Sequence, residues 1–135
     1  MKKLMILIIS VITPLILAAQ VQLMDLSVYP IETTSVDSVE LAITFKMNPV
    51  AQAQTIQFAF GTQTGSNDVF TGIANIVNTG SSFNVNYGNE STPVENYHAQ
   101  VFCKLTQSQY SQWQHLTVFV LDINGSQSNV LMFNK

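Results

Sequence analysis

Apolar and polar residues alternate along much of this chain with the two-residue period of strands that bury one face. The clearest case spans residues 38–47, where the odd-numbered side chains are apolar and the even-numbered ones are polar or small. Pro49 follows, and proline ends a strand because it has no N–H to donate to a ladder. Residues 55–61 repeat the pattern with apolar side chains at the even positions. Both segments are predicted to be strands with one face on a core and the other in water.

Residues 21–29 predict a strand with an irregularity. Val21 and Leu23 have one parity, whereas Leu26 and Val28 have the other. Since a strand turns successive side chains to opposite faces, these residues share one core face only if the alternation is interrupted. A bulge or kink is therefore predicted between the two pairs.

Five further strands are predicted downstream, at residues 69–78, 82–87, 96–104, 115–122 and 128–134. The polar connection around Gly80 joins the first two as a hairpin, and the connection at 123–127 joins the last two. The strand at 96–104 has an apolar face made of Tyr97, Ala99, Val101, Cys103 and Leu105. Residues 106–114 lose this period and predict one helical turn, in which Tyr110 and Trp113 plug the fold or offer a sugar-stacking platform.

Eight short strands at roughly ten-residue spacing, without a long amphipathic helix, are typical of a sandwich or a small barrel. The predicted fold class is all-β, with seven or eight antiparallel strands in a sandwich. No internal repeat or interdomain linker interrupts the pattern, so one domain is predicted.

The first nineteen residues have the layout of a cleavable signal peptide. Lys2 and Lys3 precede an apolar run at 4–17, and the small residues Ala18 and Ala19 end the segment. Cleavage after Ala19 leaves a single domain at 20–135. No later segment is long and apolar enough to span a bilayer, so the processed chain is predicted to be secreted or periplasmic, without a membrane span.

Charge excludes some classes of partner. The chain has no arginine, and removal of the first nineteen residues leaves three lysines against eight Asp and Glu. Nucleic acid is therefore excluded, because a phosphate backbone requires a basic patch. Cys103 is the one cysteine, which rules out an intramolecular disulfide and a cysteine-rich metal site. No cofactor or metal is predicted.

The last third of the chain carries a resemblance to a known class of module. Residues 113–133 contain Leu-Thr-Val-Phe-Val-Leu-Asp, then Ile-Asn-Gly-Ser, then Ser-Asn-Val-Leu. This run resembles the last two strands of immunoglobulin-like or fibronectin type III-like modules of bacterial exported proteins. The resemblance implies an immunoglobulin-like sandwich that binds a protein or glycan of the envelope or exterior, or serves there as a structural module.

The same resemblance implies where a ligand would bind. In an immunoglobulin strand order the loops at 48–54, 88–95 and 123–127 gather at one end. Their polar residues are the first candidate site: Asn48, Gln52, Asn89, Glu90, Asn124 and Ser126. The alternation at 96–104 also turns His98 and Phe102 outward, which makes the sheet face a competing site.

Catalytic residues are not predicted. His98 and Cys103 are five apart on one strand, so they face opposite ways. Glu90 and Glu95 are interpreted as acids of a solvated loop rather than a glycosidase pair. Residues 122–126 are interpreted as an ordinary hairpin turn rather than a calcium loop, because no closing bidentate acid follows.

A non-catalytic binding or structural module is thus the predicted function, and two alternatives stay open. One is a small extracellular hydrolase or metal-dependent enzyme assembled from His98, His115 and the acids. The other is a self-assembling fibre or surface-layer subunit, because few lysines protect the strand edges and self-association through them is then expected.

Overall fold

The computed structural model describes residues 20–32 and 35–135, so the predicted signal peptide at 1–19 and its cleavage site lie outside the described residues. The described residues form nine strands, one α-helix and a 3₁₀ turn at Val50–Gln52. The strands are β1 Gln22–Ile31, β2 Ser38–Asn48, β3 Ala53–Gly61, β4 Phe70–Asn78, β5 Phe83–Tyr87, β6 Glu90–Pro93, β7 His98–Thr106, β8 His115–Asp122 and β9 Leu131–Asn134. Helix α1 spans Gln107–Gln112. No helix among the described residues is long and apolar enough to cross a membrane.

The strands form two antiparallel sheets, which confirms the predicted all-β sandwich. One sheet has the order β1-β2-β7, and the other has the order β6-β5-β4-β3-β8-β9. The apolar faces meet in one core, to which every strand except β6 contributes at least one buried or half-buried residue. One strand more than the predicted seven or eight is present, and this is β6.

Strict alternation places the central strands as predicted. In β2 the buried residues include Leu41, Ile43, Phe45 and Met47, and in β7 they are Ala99, Val101, Cys103 and Leu105. The inward residues of β3 are Ile56, Phe58 and Phe60. Gly72 in β4 lies opposite Phe58, whose ring occupies the space of the missing side chain: a Cβ on Gly72 would lie 2.2 Å from Phe58 Cζ.

The irregularity predicted in β1 is present. The pairing register with β2 shifts between Met24 and Ser27, and Asp25 adopts a φ of 59°. Leu23 before the shift and Val28 after it both contact the core. The change of parity in the sequence is thus resolved by a β-bulge.

Two predictions for residues 88–97 are wrong. Residues 88–95, predicted as a loop, contain β6, which pairs with β5 through the two-residue turn Gly88-Asn89. Tyr97, predicted on the core face, is 58% exposed because β7 begins one residue later. Asn96 and Tyr97 both have positive φ, 49° and 66°, and form a tight turn instead of strand.

Helix α1 confirms the predicted helical turn. Thr106 begins it with a capping box, in which its hydroxyl accepts from the Gln109 N–H and the Gln109 side chain accepts from the Thr106 N–H. Trp113 follows and is 3% exposed, with ring centroids 5.1 Å from Phe60 and 6.4 Å from Phe133. This burial confirms that the Trp113 ring plugs the sandwich, and it means that the ring is not exposed for a sugar to stack on.

Candidate ligand-binding cleft

Strand β7 is an edge strand, and its hydrogen-bonding phase decides which main-chain groups it offers. The Met47 N–H donates to the Tyr97 carbonyl at 2.9 Å, just before β7 begins. The Gln107 N–H donates to the Asp37 carbonyl at 3.2 Å, just after it ends. Together with the register of β2 and β7, these bonds show that the odd-numbered residues of β7 exchange main-chain hydrogen bonds with β2. The main-chain groups of three even-numbered residues therefore face away from β2: Gln100, Phe102 and Lys104.

These outward main-chain groups have no hydrogen-bond partner in the described part of the chain. The residues flanking them are satisfied locally. His98 exchanges two main-chain hydrogen bonds with Glu95, and the Thr106 N–H donates to Gln109 Oε1 at 2.9 Å. Three N–H donors and three carbonyl acceptors thus form an unpaired ladder along the middle of β7.

Two cavities follow one another along this edge. The first has a volume of about 450 Å³ and is lined by Glu40, Tyr87, Gly88, Asn89, Glu90, Phe102 and Lys104. The second has a volume of about 310 Å³ and is lined by Thr44, Pro93, Glu95, His98, Ala99 and Gln100. Both lie in the range of roughly 300–1,000 Å³ found for ligand sites. We call the two together the β7 cleft.

Acidic side chains dominate the charge of the β7 cleft. Glu40, Glu90 and Glu95 contribute three carboxylates against the single ammonium group of Lys104. The ion pair between Lys46 and Asp25, at 2.9 Å, is the only one among the described residues. The four charged groups of the cleft are therefore unpaired, and they leave it net negative when His98 is neutral.

Aromatic groups provide the apolar surface of the cleft. Phe102 is half-buried and completes a row across the sheet with Ala42 and Tyr29, so that Ala42 is fully covered on an outward face. Gln100 Nε2 donates to the Tyr29 hydroxyl at 3.4 Å. On the opposite wall the Tyr87 ring packs against Phe58 at 5.3 Å, and burial raises the pKa of the Tyr87 hydroxyl. Tyr87 is therefore a neutral group at neutral pH.

The eight predicted site residues divide between two places. Asn89, Glu90, His98 and Phe102 line the β7 cleft. The other four, Asn48, Gln52, Asn124 and Ser126, lie in two loops joined by a hydrogen bond from the Ile123 N–H to the Gln52 carbonyl at 3.0 Å. The pairing directions place these loops at the end of the sandwich where β2 and β8 finish.

The predicted gathering of all three loops at one end is wrong. The Gly88-Asn89 turn lies at the end where β2 and β8 begin, because β6 runs antiparallel to β5 and carries the chain along the sandwich. Glu90 is at the start of β6, and Glu95 lies beyond its end. Four further lining residues are not among the predicted ones, although the alternation puts two of them, Gln100 and Lys104, on the face of Phe102: Glu40, Tyr87, Gln100 and Lys104.

In the turn at 122–126, the Asp122 carboxylate accepts hydrogen bonds from the main chain of the same turn. Asp122 Oδ1 accepts from the Asn124 N–H and the Ser126 N–H, each at 2.8 Å. These bonds are those of a capped hairpin turn, and they occupy the oxygen that a calcium loop would direct at the ion.

The groups considered for catalysis are far apart. Cys103 is 1% exposed, and burial, with a smaller contribution from Glu40, raises the pKa of its thiol to about 12. His98 is exposed on the opposite face of β7. Glu90 and Glu95 are separated by the length of β6, about 16 Å at strand spacing, which exceeds the carboxylate separations of glycosidases.

His115 and the acids of the described residues form no metal centre. His115 Nδ1 lies 2.6 Å from Asn134 Oδ1 on the paired strand β9. Within residues 20–32 and 35–135, no three His, Cys, Asp or Glu side chains are grouped so as to hold a metal ion.

Comparisons of this chain with protein-family models, with curated proteins and with solved structures find no match. The functional argument therefore rests on the β7 cleft itself.

Proposed function

We propose that this chain is an exported, non-catalytic binding module that holds a protein or glycan of the cell envelope or exterior in the β7 cleft. One observation carries the proposal: an unpaired main-chain ladder at Gln100, Phe102 and Lys104 faces cavities that also contain an aromatic ring and unpaired charges. Unsatisfied donors and acceptors beside a concave surface are the groups that a ligand pairs with.

The strand order supports the immunoglobulin-like part of the proposal. In the variable type, strands A, B and E share one sheet, and strands G, F, C, C′ and C″ form the other. The orders β1-β2-β7 and β9-β8-β3-β4-β5 correspond to these sets in chain order. Strand β6 has the chain position of strand D but forms its ladder with β5, and it meets β7 only through the bridge between Glu95 and His98.

A secreted or periplasmic location is supported by the sequence of the first nineteen residues and by the uncharged polar surface. Only 10% of the chain is charged, and Asn, Gln, Ser and Thr cover much of the exposed surface. A module that stays outside the cytoplasm and binds through hydrogen bonds and apolar contact is consistent with this composition.

The test of the proposed function is a titration of ¹⁵N-labelled protein followed by NMR. The probes are a degenerate octapeptide pool and a panel of envelope oligosaccharides. We expect shift changes confined to residues of the β7 cleft. Changes at Asn48, Gln52, Asn124 and Ser126 instead would move the site to the loop end, and no change with any probe would refute the proposal.

A self-associating subunit is the second candidate function, because the main-chain groups of Gln100, Phe102 and Lys104 have no partner among the described residues. Sedimentation velocity over a hundred-fold range of protein concentration tests it. Growth of the mass-average species with concentration would support this candidate, and a constant monomer would exclude it.

A further inference from the structure

The outer face of the three-stranded sheet carries an aromatic surface beside the β7 cleft. Tyr29 of β1, Ala42 of β2 and Phe102 of β7 are register partners and form one row across the sheet. Tyr29 is 46% exposed and Phe102 is half-buried, whereas Ala42 between them is 0% exposed. Because Ala42 has only a methyl group, its burial on an outward face shows that the flanking side chains close over it. We call these three residues the aromatic row.

Uncharged hydrogen-bonding side chains border the aromatic row. Gln100 lies two residues before Phe102 on the same face of β7, and its Nε2 donates to the Tyr29 hydroxyl at 3.4 Å. Thr44 is the register partner of Gln100 on β2, and both line the second cavity of the cleft. Within the described residues the Thr44 hydroxyl has no hydrogen-bond partner. Amide and hydroxyl groups are thus available next to exposed ring surface.

A peptide strand does not fit between β7 and β6. Glu95 and His98 exchange main-chain hydrogen bonds of 3.3 and 2.8 Å, and from this bridge β6 runs back beside β7. Pro93 then lies opposite Gln100, and both line the same cavity. Some Cα atoms of the two strands are within 8 Å of each other, whereas an inserted strand needs its neighbours roughly 9.5 Å apart. A ligand of the cleft is therefore held through side chains and not by joining the sheet.

We propose that the ligand of the β7 cleft is a neutral glycan, whose sugar rings stack on the aromatic row and whose hydroxyl groups bond to the polar side chains beside it. The inference rests on the proposed function of the β7 cleft and names the class of ligand. A sugar ring packs its C–H groups on an aromatic face and keeps its hydroxyl groups at the rim. The main chains of Tyr29 and Phe102 are two strand spacings apart, roughly 9.5 Å, so a chain of sugars lying across the sheet contacts both rings and enters the cleft beyond Phe102.

The charges of the cleft favour a glycan without acidic groups. Glu40, Glu90 and Glu95 outnumber Lys104 there, and the chain has no arginine to pair with a carboxylate or sulfate. Carboxylates accept hydrogen bonds from sugar hydroxyls but repel acidic sugars. The aromatic row, Gln100 and Thr44 carry no charge, so the contacts on the sheet face need none from the ligand.

The first experiment is calorimetry with neutral hexasaccharides of β-linked glucose, mannose and N-acetylglucosamine. For the one that binds most tightly, Tyr29→Ala is expected to weaken binding by at least about fivefold, because half of the ring surface is lost. Tyr29→Phe keeps the ring and is expected to restore affinity to within about twofold. The matched control Tyr97→Ala removes an exposed tyrosine outside the aromatic row and is expected to change affinity by less than about twofold. Equal losses for Tyr29→Ala and Tyr97→Ala would overturn stacking on the row.

Stacking also has a spectroscopic signature in the ligand. Ring currents are expected to move the C–H proton signals of the bound hexasaccharide upfield in the NMR spectrum, and Tyr29→Ala is expected to reduce this shift. An unchanged shift in Tyr29→Ala would assign the contact to other rings and contradict the proposal.

The charge of the ligand is tested with a hexamer of glucuronic acid, matched in linkage to the glucose hexamer. It is expected to bind at least about tenfold more weakly, and Glu90→Gln is expected to recover about threefold of this loss. The control Glu32→Gln neutralises an exposed acid outside the cleft and is expected to recover none of it. Affinity for the neutral hexasaccharide is expected to change by less than about twofold between 0.01 and 1 M salt, because there is no net ligand charge to screen. A tenfold fall with salt would overturn the neutral class.

The octapeptide pool separates this inference from the proposed function. Peptide binding in the β7 cleft without binding of any neutral hexasaccharide would refute the glycan and leave the proposed function standing. No binding of either class of probe would refute both.

Discussion

Strands β1 and β7 are the two edges of the same sheet and pair with the same strand, β2. Their outward main-chain groups differ in whether they have hydrogen-bond partners. At β1 the chain returns more than a hundred residues later to place the Asn129 amide on Leu23. At β7 the equivalent main-chain groups of Gln100, Phe102 and Lys104 have no partner among the described residues. The comparison teaches that side chains from distant segments can satisfy the main-chain groups of an edge, and that the middle of β7 has no such side chain among the described residues.

The largest expected effect concerns Cys103, whose side chain lies on the inward face of β7. Since burial raises the pKa of the Cys103 thiol from 9.0 to about 12, very little thiolate forms at pH 8. We expect alkylation in the native state to be about a thousand-fold slower than in urea, measured by mass spectrometry. Rapid native labelling would show that β7 is frayed. Its main-chain groups would then lack partners because of disorder, and not because β7 is the last strand of its sheet.

A second prediction separates the two sides of β7 residue by residue. The amides of Val101 and Cys103 face β2, whereas those of Phe102 and Lys104 face the cleft. Native-state hydrogen exchange is expected to be about a hundred-fold slower at the odd-numbered residues than at the even-numbered ones. Uniform protection along β7 would mean that its free edge is covered, and the contrast with β1 would disappear.

The third prediction concerns the β1 edge, where the Asn129 amide bonds to the main chain of Leu23. Asn129→Ala leaves the part-buried N–H and carbonyl of Leu23 unpaired, so we expect the free energy of unfolding to fall by about 2 kcal/mol, measured by urea denaturation. Asn67→Ala is the control, since Asn67 is exposed and forms no hydrogen bond within the described residues. A change below about 0.5 kcal/mol for Asn129→Ala would mean that water replaces the amide and that the β1 edge is not closed by it.

The smallest effect distinguishes the cleft from the loop end. Phe102→Ala is expected to weaken binding of the peptide or oligosaccharide probe that shifts the cleft residues by about fivefold, because it removes the apolar wall of the β7 cleft. Asn124→Ala lies in the other candidate site and is expected to leave affinity within about twofold. The reverse result would place the ligand at the loops and exclude the β7 cleft as its site.

Much of the sandwich follows from the sequence because its central strands bury one face each. The alternation at 38–47 and the change of parity between Leu23 and Leu26 predict β2 and the β1 bulge from local pattern alone. Strand β6 could not be predicted in this way, because Glu-Ser-Thr-Pro has no apolar alternation and becomes a strand only by pairing with β5.

The candidate site was predicted only in part for a related reason. The outward direction of His98 and Phe102 follows from the alternation, and both line the cleft. That β7 is an edge follows from which strands pair, and no residue of β7 carries that information. Glu90 and Asn89 were chosen for the loop end but lie in the cleft, because the unpredicted β6 separates them from the other loops.

The contact between Gly72 and Phe58 limits how this sequence can diverge. Any side chain at position 72 collides with the Phe58 ring, and the ring itself fills core space between the sheets. Neither position can therefore change alone without either a steric clash or a cavity. Diverged versions of this chain should vary the two positions as a pair, with a larger residue at 72 accompanied by a smaller one at 58, and this covariation would reveal the register of β3 against β4 without any structure.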